Sequence, residues 1–213
     1  MKISFFILAS GLLVCFGAGC TSSITTGPEN QSKTSQTNPP AVIAQTTDPI
    51  TQKLVLPIAG YADRRTKKVF GQWVHDRFTG YHLGDDIEYT DTDAEIPVYA
   101  IATGTIRYVG AHVSGYGGVL VISFRPDGKN INAIYGHLNL IATNLKVGQT
   151  VGAGTFLAYL GKGYSIQTDG ERKHLHFGLY EGNELRLAGY TQKKSDLAQW
   201  MNPTDFFRAH GLL

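Results

Sequence analysis

Cysteine is nearly absent: the 213-residue chain has two, Cys15 and Cys20, both close to the N-terminus. A fold stapled by internal disulfides is excluded, because removal of an N-terminal leader would leave at most one of them. Charge is sparse as well. Charged residues make up 17% and the net charge is +2, so nothing in the composition calls for nucleic acid as a partner. Apolar runs are short. The longest, Ile3 to roughly Phe16, falls below the about 20 residues that a spanning helix needs. No internal repeat, heptad or glycine-rich phosphate loop occurs. What the chain does have is glycine, 25 residues of it, together with 11 Tyr and 10 Phe, a balance that favours a β-rich, turn-rich fold.

The N-terminus reads as an export signal. Lys2 precedes the apolar run, and the small residues Gly17, Ala18 and Gly19 lead into Cys20. Ala18-Gly19-Cys20 resembles the end of a bacterial lipobox, so Cys20 is expected to be acylated and residues 1–20 to be a lipoprotein-type signal peptide. Residues 21–53 are rich in Ser, Thr, Gln, Asn and Pro and almost free of aromatics, which predicts a disordered linker. About 30 such residues span roughly 30 Å. The remainder, residues 54–213, is long enough for one sizeable core.

Within that domain strand signals dominate. Tyr99 to Val109 and Val119 to Phe124 are rich in apolar, β-branched and aromatic residues and read as strands, and Pro126-Asp127-Gly128 separates the second from a run ending at Tyr135, a hairpin signal. Lys146 to Leu160 reads as a further strand pair. Helical pattern is confined to Ser195–Trp200 and Pro203–His210, the second started by Asn202-Pro203-Thr204. The expected fold is all-β: antiparallel sheets packed as a sandwich or half-open barrel, with short C-terminal helices.

Chemistry concentrates in three short segments: His82-Leu83-Gly84-Asp85-Asp86, Tyr135-Gly136-His137-Leu138 and His174-Leu175-His176-Phe177. On a strand, residues at i, i+2 and i+4 project from one face. His82 and Asp86 would then share a face, with Gly84 leaving room for an ion between them, and parity selects Asp86 over Asp85. His174 and His176 would share another face while Leu175, Phe177 and Leu179 point into the core. Two imidazoles and a carboxylate suit a three-ligand zinc site whose fourth position is left for water, with that water's pKa lowered to about 7. Further histidines can then manage protons and steady an oxyanion.

These motifs resemble the M23 family of zinc metallopeptidases, the LytM or lysostaphin-type domain that cuts peptide bonds in bacterial peptidoglycan. The resemblance spans roughly residues 54 to 207: H-x-G-x-D matches His82, Gly84 and Asp86, and H-x-H matches His174 and His176. Between them Pro97-Val98-Tyr99-Ala100, Ala102-Thr103-Gly104-Thr105-Ile106, Gly115-Tyr116-Gly117-Gly118-Val119, Lys146-Val147-Gly148-Gln149-Thr150-Val151 and Asn202-Pro203 keep the family's order. The resemblance implies one Zn2+ per chain on His82, Asp86 and His176, with His137 and His174 as the catalytic pair. It implies a zinc endopeptidase acting on the cross-links or stem peptides of peptidoglycan, exported to the periplasm or cell envelope and held at a membrane through Cys20. No nucleic acid and no required protein partner are expected. The alternative is a non-catalytic LytM-like module that binds and activates a cell-wall amidase, although such relatives generally lack a ligand and this chain keeps all five positions. Tyr61–Tyr81 and Lys162–Lys173 are expected to wall the groove, with Tyr81, Tyr164, Arg64, Arg65 and Lys173 as candidate substrate contacts. His75, His112 and His210 lie outside every motif and read as surface residues.

Overall fold

The computed structural model describes residues 52–213. The expected leader with Cys20, and all but the end of the expected linker 21–53, lie outside the described residues. Short β-branched and aromatic runs broken by glycine become thirteen strands: β1 (Trp73–His75), β2 (Thr79–His82), β3 (Asp85–Glu88), β4 (Pro97–Tyr99), β5 (Gly104–Val113), β6 (Gly117–Phe124), β7 (Ile131–Gly136), β8 (Leu138–Asn139), β9 (Thr150–Val151), β10 (Phe156–Leu160), β11 (His174–Glu181), β12 (Tyr190–Thr191) and β13 (Trp200–Met201). Every pairing is antiparallel. The main sheet runs β13-β11-β7-β6-β5-β9 with β3 also on β11; β1-β2-β12 and β4-β10-β8 form two smaller sheets. Among the described residues no sheet closes into a barrel, and no helix is long and apolar enough to cross a membrane.

Both faces of the main sheet are covered, and the strand period decides which residue goes where. On β6, Leu120, Ile122 and Phe124 enter a large core with Val98, Leu157 and Leu160 of the β4-β10-β8 sheet, while Val119 and Val121 pack on the other face with Leu83, Tyr116 and Trp200. On β11, Leu175, Phe177 and Leu179 are fully buried in the large core, as alternation predicts, which turns His174 and His176 the other way. Phe177 stacks on Phe207 at 5.7 Å and meets Tyr61 and Tyr135 edge-on, so its burial contributes about 2–3 kcal/mol.

The β6–β7 hairpin turns at Pro126–Gly128, where Asp127 (φ 50°) and Gly128 (φ 77°) both take left-handed backbone. Helix α2 (Pro203–Ala209) begins as expected, with the Asn202 side-chain oxygen Oδ1 accepting from the backbone N–H of Thr204 and Asp205 and proline at its first position. Two departures have local causes. A one-turn helix, α1 (Tyr61–Arg64), is too short to leave a period in the sequence, and its Tyr61 is buried against Phe177 and Phe207. Lys146 to Leu160 does hold two strands, but they do not pair with each other. The turn at Gly152–Gly154 carries the chain from one sheet to another, so β9 pairs with β5 and β10 with β4 and β8.

Candidate metal centre

Strand β11 is the spine of the site. Asp86 on β3 is the register partner of His176, and Gly136 at the end of β7 pairs with His176 from the other side. Asp86 and His176 are thus cross-strand neighbours. His82 arrives differently from the single-strand expectation: β2 ends at His82 and β3 starts at Asp85, so the chain breaks at Leu83-Gly84 and changes sheet. Gly84 is required for another reason than free space above a strand. A Cβ there would lie 2.5 Å from the Phe177 carbonyl oxygen and 3.0 Å from His176 Nε2, so glycine is what lets the break press against β11.

His82 Nε2, His176 Nδ1 and Asp86 Oδ1 form a buried triangle with edges of 3.0 Å between the nitrogens and 3.2 Å from each to the oxygen. No arrangement of protons satisfies this triangle. A carboxylate only accepts and each nitrogen carries either one proton or one lone pair, so at least one edge always sets like against like. A shared cation removes the conflict, and tetrahedral zinc with bonds of about 2.0–2.1 Å puts its ligand atoms roughly 3.3 Å apart. The donor set fits a zinc-sized ion.

Electrostatics keep Asp86 and His176 in ligating form. Burial alone would raise the Asp86 carboxyl, but His174 and His82 nearby and hydrogen bonds from His176 and His82 hold it well below the usual carboxylate range. Burial pushes His176 down despite the Asp86 carboxylate, and it lowers His174 to about 3, so both imidazoles are neutral near pH 7. His137 is also held well below its ordinary value, first by burial and then by His174 and His176.

Beside the triangle stand two more histidines. His174 Nδ1–H donates to the Arg172 carbonyl at 2.8 Å, which fixes the tautomer and leaves the Nε2 lone pair free, 3.4 Å from Asp86 Oδ2. His137 follows β7 in left-handed backbone (φ 62°), pinned by its N–H to Tyr116 at 3.2 Å and its carbonyl to Gly161 at 2.8 Å. That costly backbone swings its ring to 4.2 Å from that of His174. Asp86, His137, His174 and His176 line one cleft of about 200 Å³, walled by Phe78, Tyr116 and Tyr190 among others.

Of the sequence candidates, the structure brings together His82, Asp86, His137, His174 and His176. The five groove candidates do not line this cleft. Lys173 is buried and its Nζ is bonded to the carbonyls of Thr92 and Ala94; Arg64 pairs with Asp91 and covers Tyr89. Arg65 lies 3.7 Å from Asp85, Tyr81 packs on Trp73, and exposed Tyr164 borders a second cleft with Lys173. Asp85 faces away from the triangle: Tyr61, Thr204 and the Phe70 backbone donate to it at 3.0, 2.7 and 3.0 Å. Residues not singled out from sequence include Arg172 and Glu88 behind Asp86, and Tyr190, the register partner of His82 on β12. His75, His112 and His210 are exposed.

An antiparallel β domain whose buried two-histidine, one-carboxylate cluster floors a cleft has the build of a metallohydrolase. The model of peptidase family M23 matches residues 80–187, just over half of the 213-residue chain, and the chain belongs to that family. Among solved structures it is similar to LytU, at 26% identity and a TM-score of 0.50, covering 68% of this chain and 86% of that one. It is also similar to the catalytic domain of the antimicrobial peptidase lysostaphin from Staphylococcus simulans, at 24% identity and a TM-score of 0.48 over 67% of this chain and 90% of that one. No curated protein matches it by sequence.

Proposed function

We propose that this protein is a zinc-dependent endopeptidase that hydrolyses peptide bonds of bacterial peptidoglycan. The observation that carries the reading is the triangle of His82 Nε2, His176 Nδ1 and Asp86 Oδ1, frustrated without a cation and set beside two further histidines in an open cleft. His82, Asp86 and His176 would hold the ion, one per chain. Bound there, zinc supplies a Lewis acid for the scissile carbonyl and acidifies water. The chain's own groups supply the rest. His174 presents Nε2 as the atom that takes a proton from the attacking water and returns it to the leaving amine, since Nδ1–H is committed to the Arg172 carbonyl. His137, held rigidly at 4.2 Å from His174, is suited to donate to the oxyanion that develops as the carbonyl becomes tetrahedral. Membership of the peptidase family supports peptide-bond hydrolysis, and the lipobox-like Ala18-Gly19-Cys20 supports a site of action at the cell envelope.

Incubating purified sacculi with the protein, with and without a chelator, tests the reading against the amidase-activator alternative. Soluble muropeptides released only when zinc is present are expected, and mass spectrometry of them identifies the bond cut. A zinc-loaded protein inert on every wall type, whose addition promotes hydrolysis by a separate amidase, would be the adaptor instead.

A further inference from the structure

The two oxygens of Asp86 have different partners. Oδ1 belongs to the ligand triangle, 3.2 Å from His82 and from His176, whereas Oδ2 accepts from Arg172 Nη2 at 2.7 Å. The guanidinium is itself braced. Its Nε donates to Glu88 at 2.9 Å and its Nη2 at 2.6 Å, while Nη1 lies 3.5 Å from Glu171. Each nitrogen therefore faces a carboxylate, and the side chain, 12% exposed, lines the cleft behind Asp86 with its Nε and Nη2 donors turned onto acids of this chain. Glu88 is the register partner of His174 and lies two residues after Asp86, so one strand pair holds the acid, its neighbour and the brace.

We propose that Arg172, braced by Glu88, is the positioning residue of the metal centre: it fixes the rotation of the Asp86 carboxylate so that a single oxygen faces the ion. The proposal rests on the zinc-endopeptidase reading of the same site. An unclamped carboxylate turns about its last side-chain bond and binds a cation through both oxygens, filling a coordination position that hydrolysis needs open. The Arg172 carbonyl meanwhile sets the His174 tautomer, so one residue orders a ligand and the proton acceptor together. Glu88 cancels the guanidinium charge, and the clamp sets no net positive charge against the ion. Lysine cannot substitute, because a point charge does not fork onto Glu88 and reach Asp86 at once.

The test uses the full-length protein as parent, Arg172→Lys and the double variant Arg172→Met, Glu88→Gln, each stripped of metal. Zinc affinity is read by competition with a chromophoric chelator, and the cobalt(II)-loaded forms are read by visible absorption. The double variant removes one positive and one negative charge, so net charge is unchanged. Both variants are expected to bind zinc about 10–100-fold more weakly, the usual cost of losing an outer partner of a ligand. Their cobalt bands should be fainter than the parent's, as a carboxylate binding through both oxygens raises the coordination number. Should the double variant fail to fold, Arg172→Lys, which keeps the charges, still decides. Arg172→Lys with parental zinc affinity and an unchanged cobalt spectrum overturns the clamp. A parent that binds zinc yet never cleaves peptidoglycan removes the endopeptidase reading alone, and a parent that binds no zinc removes both.

Discussion

Neighbouring aspartates with opposite duties give the sharpest prediction. Asp85 is fully buried; Tyr61 Oη and Thr204 Oγ1 donate to its Oδ2 at 3.0 and 2.7 Å, and the Phe70 N–H donates to its Oδ1 at 3.0 Å. Burial, and next the Asp85 charge, push the Tyr61 hydroxyl well up, so it stays a donor at any working pH. Asp85→Ala strands two buried hydroxyl donors and the half-buried Phe70 N–H. At about 1–3 kcal/mol each, and counting partial relaxation, the loss is about 3–6 kcal/mol, a large share of the 5–15 kcal/mol that holds most domains together. Asp85→Asn is the readable version, because it keeps shape and one acceptor while turning an N–H onto at least one donor. Its cost should be about 2 kcal/mol, or roughly 5 °C in Tm for a domain of this size. Asp86→Asn should do the reverse: zinc is lost, while the stripped protein melts within a few degrees of the parent, since Arg172 keeps its fork onto Glu88. Calorimetry of metal-stripped protein and zinc-to-protein ratios after reloading measure the two effects separately. Asp85→Asn that sheds zinc at unchanged Tm, or Asp86→Asn that collapses the stripped fold, would refute the division.

Other outcomes follow from the same geometry. Replacing His137 or His174 by Ala should lower muropeptide release by two to four powers of ten, on the order of a general acid-base contribution, with zinc content kept. Loss of zinc in either variant, by elemental analysis, would assign that histidine to the ligands. Gly84→Ala puts a methyl 2.5 Å from the Phe177 carbonyl and 3.0 Å from His176 Nε2, so it should lower both Tm and zinc affinity; a change in Tm alone would separate the break from the site. His174 is depressed to about 3, and His137 and His176 are also lowered, against about 6.5 in the unfolded chain, so between those values the unfolded state binds more protons and stability rises with pH. The stripped protein should therefore lose up to about 1.4 kcal/mol per pH unit per histidine on acidification from pH 6.5 toward 4, and a flat Tm over that range contradicts it. Cys20→Ala should shift the protein from the membrane to the soluble fraction, and unchanged fractionation would remove the lipid anchor.

Much of the site was legible because strand parity is a strong rule. His174 and His176 on one face, with Leu175, Phe177 and Leu179 on the other, follows from alternation alone. The same rule, carried one step further back, points Arg172 toward the site and Lys173 away from it, which is where they lie; assigning the whole segment Lys162–Lys173 to the groove wall, with Lys173 as the contact, hid this. Glu88 was open to the same reasoning from Asp86. Tyr190 was not, because nothing local ties it to His82: they meet only through the pairing of β12 with β2. The path from His82 to Asp86 also exceeded local reasoning. The sequence spacing suits one strand, but the chain changes sheet between them, and only the approach of β11 explains why Gly84 stands at the break.

The register of β3 on β11 sets an order of assembly. Asp86 and His176 are partners separated by 90 residues, and His82 and His176 by 94, so no part of the chain up to β10 can form the centre. Contacts of such long range are late and slow to form, as loop closure must precede the contacts that reward it. An ion held by these three residues would clip β2, β3 and β11 together after they have met, which makes its retention a report on a finished domain. It also means that a partly made or nicked chain, cut anywhere between residues 88 and 174, keeps its ligands only for as long as the sheet itself holds.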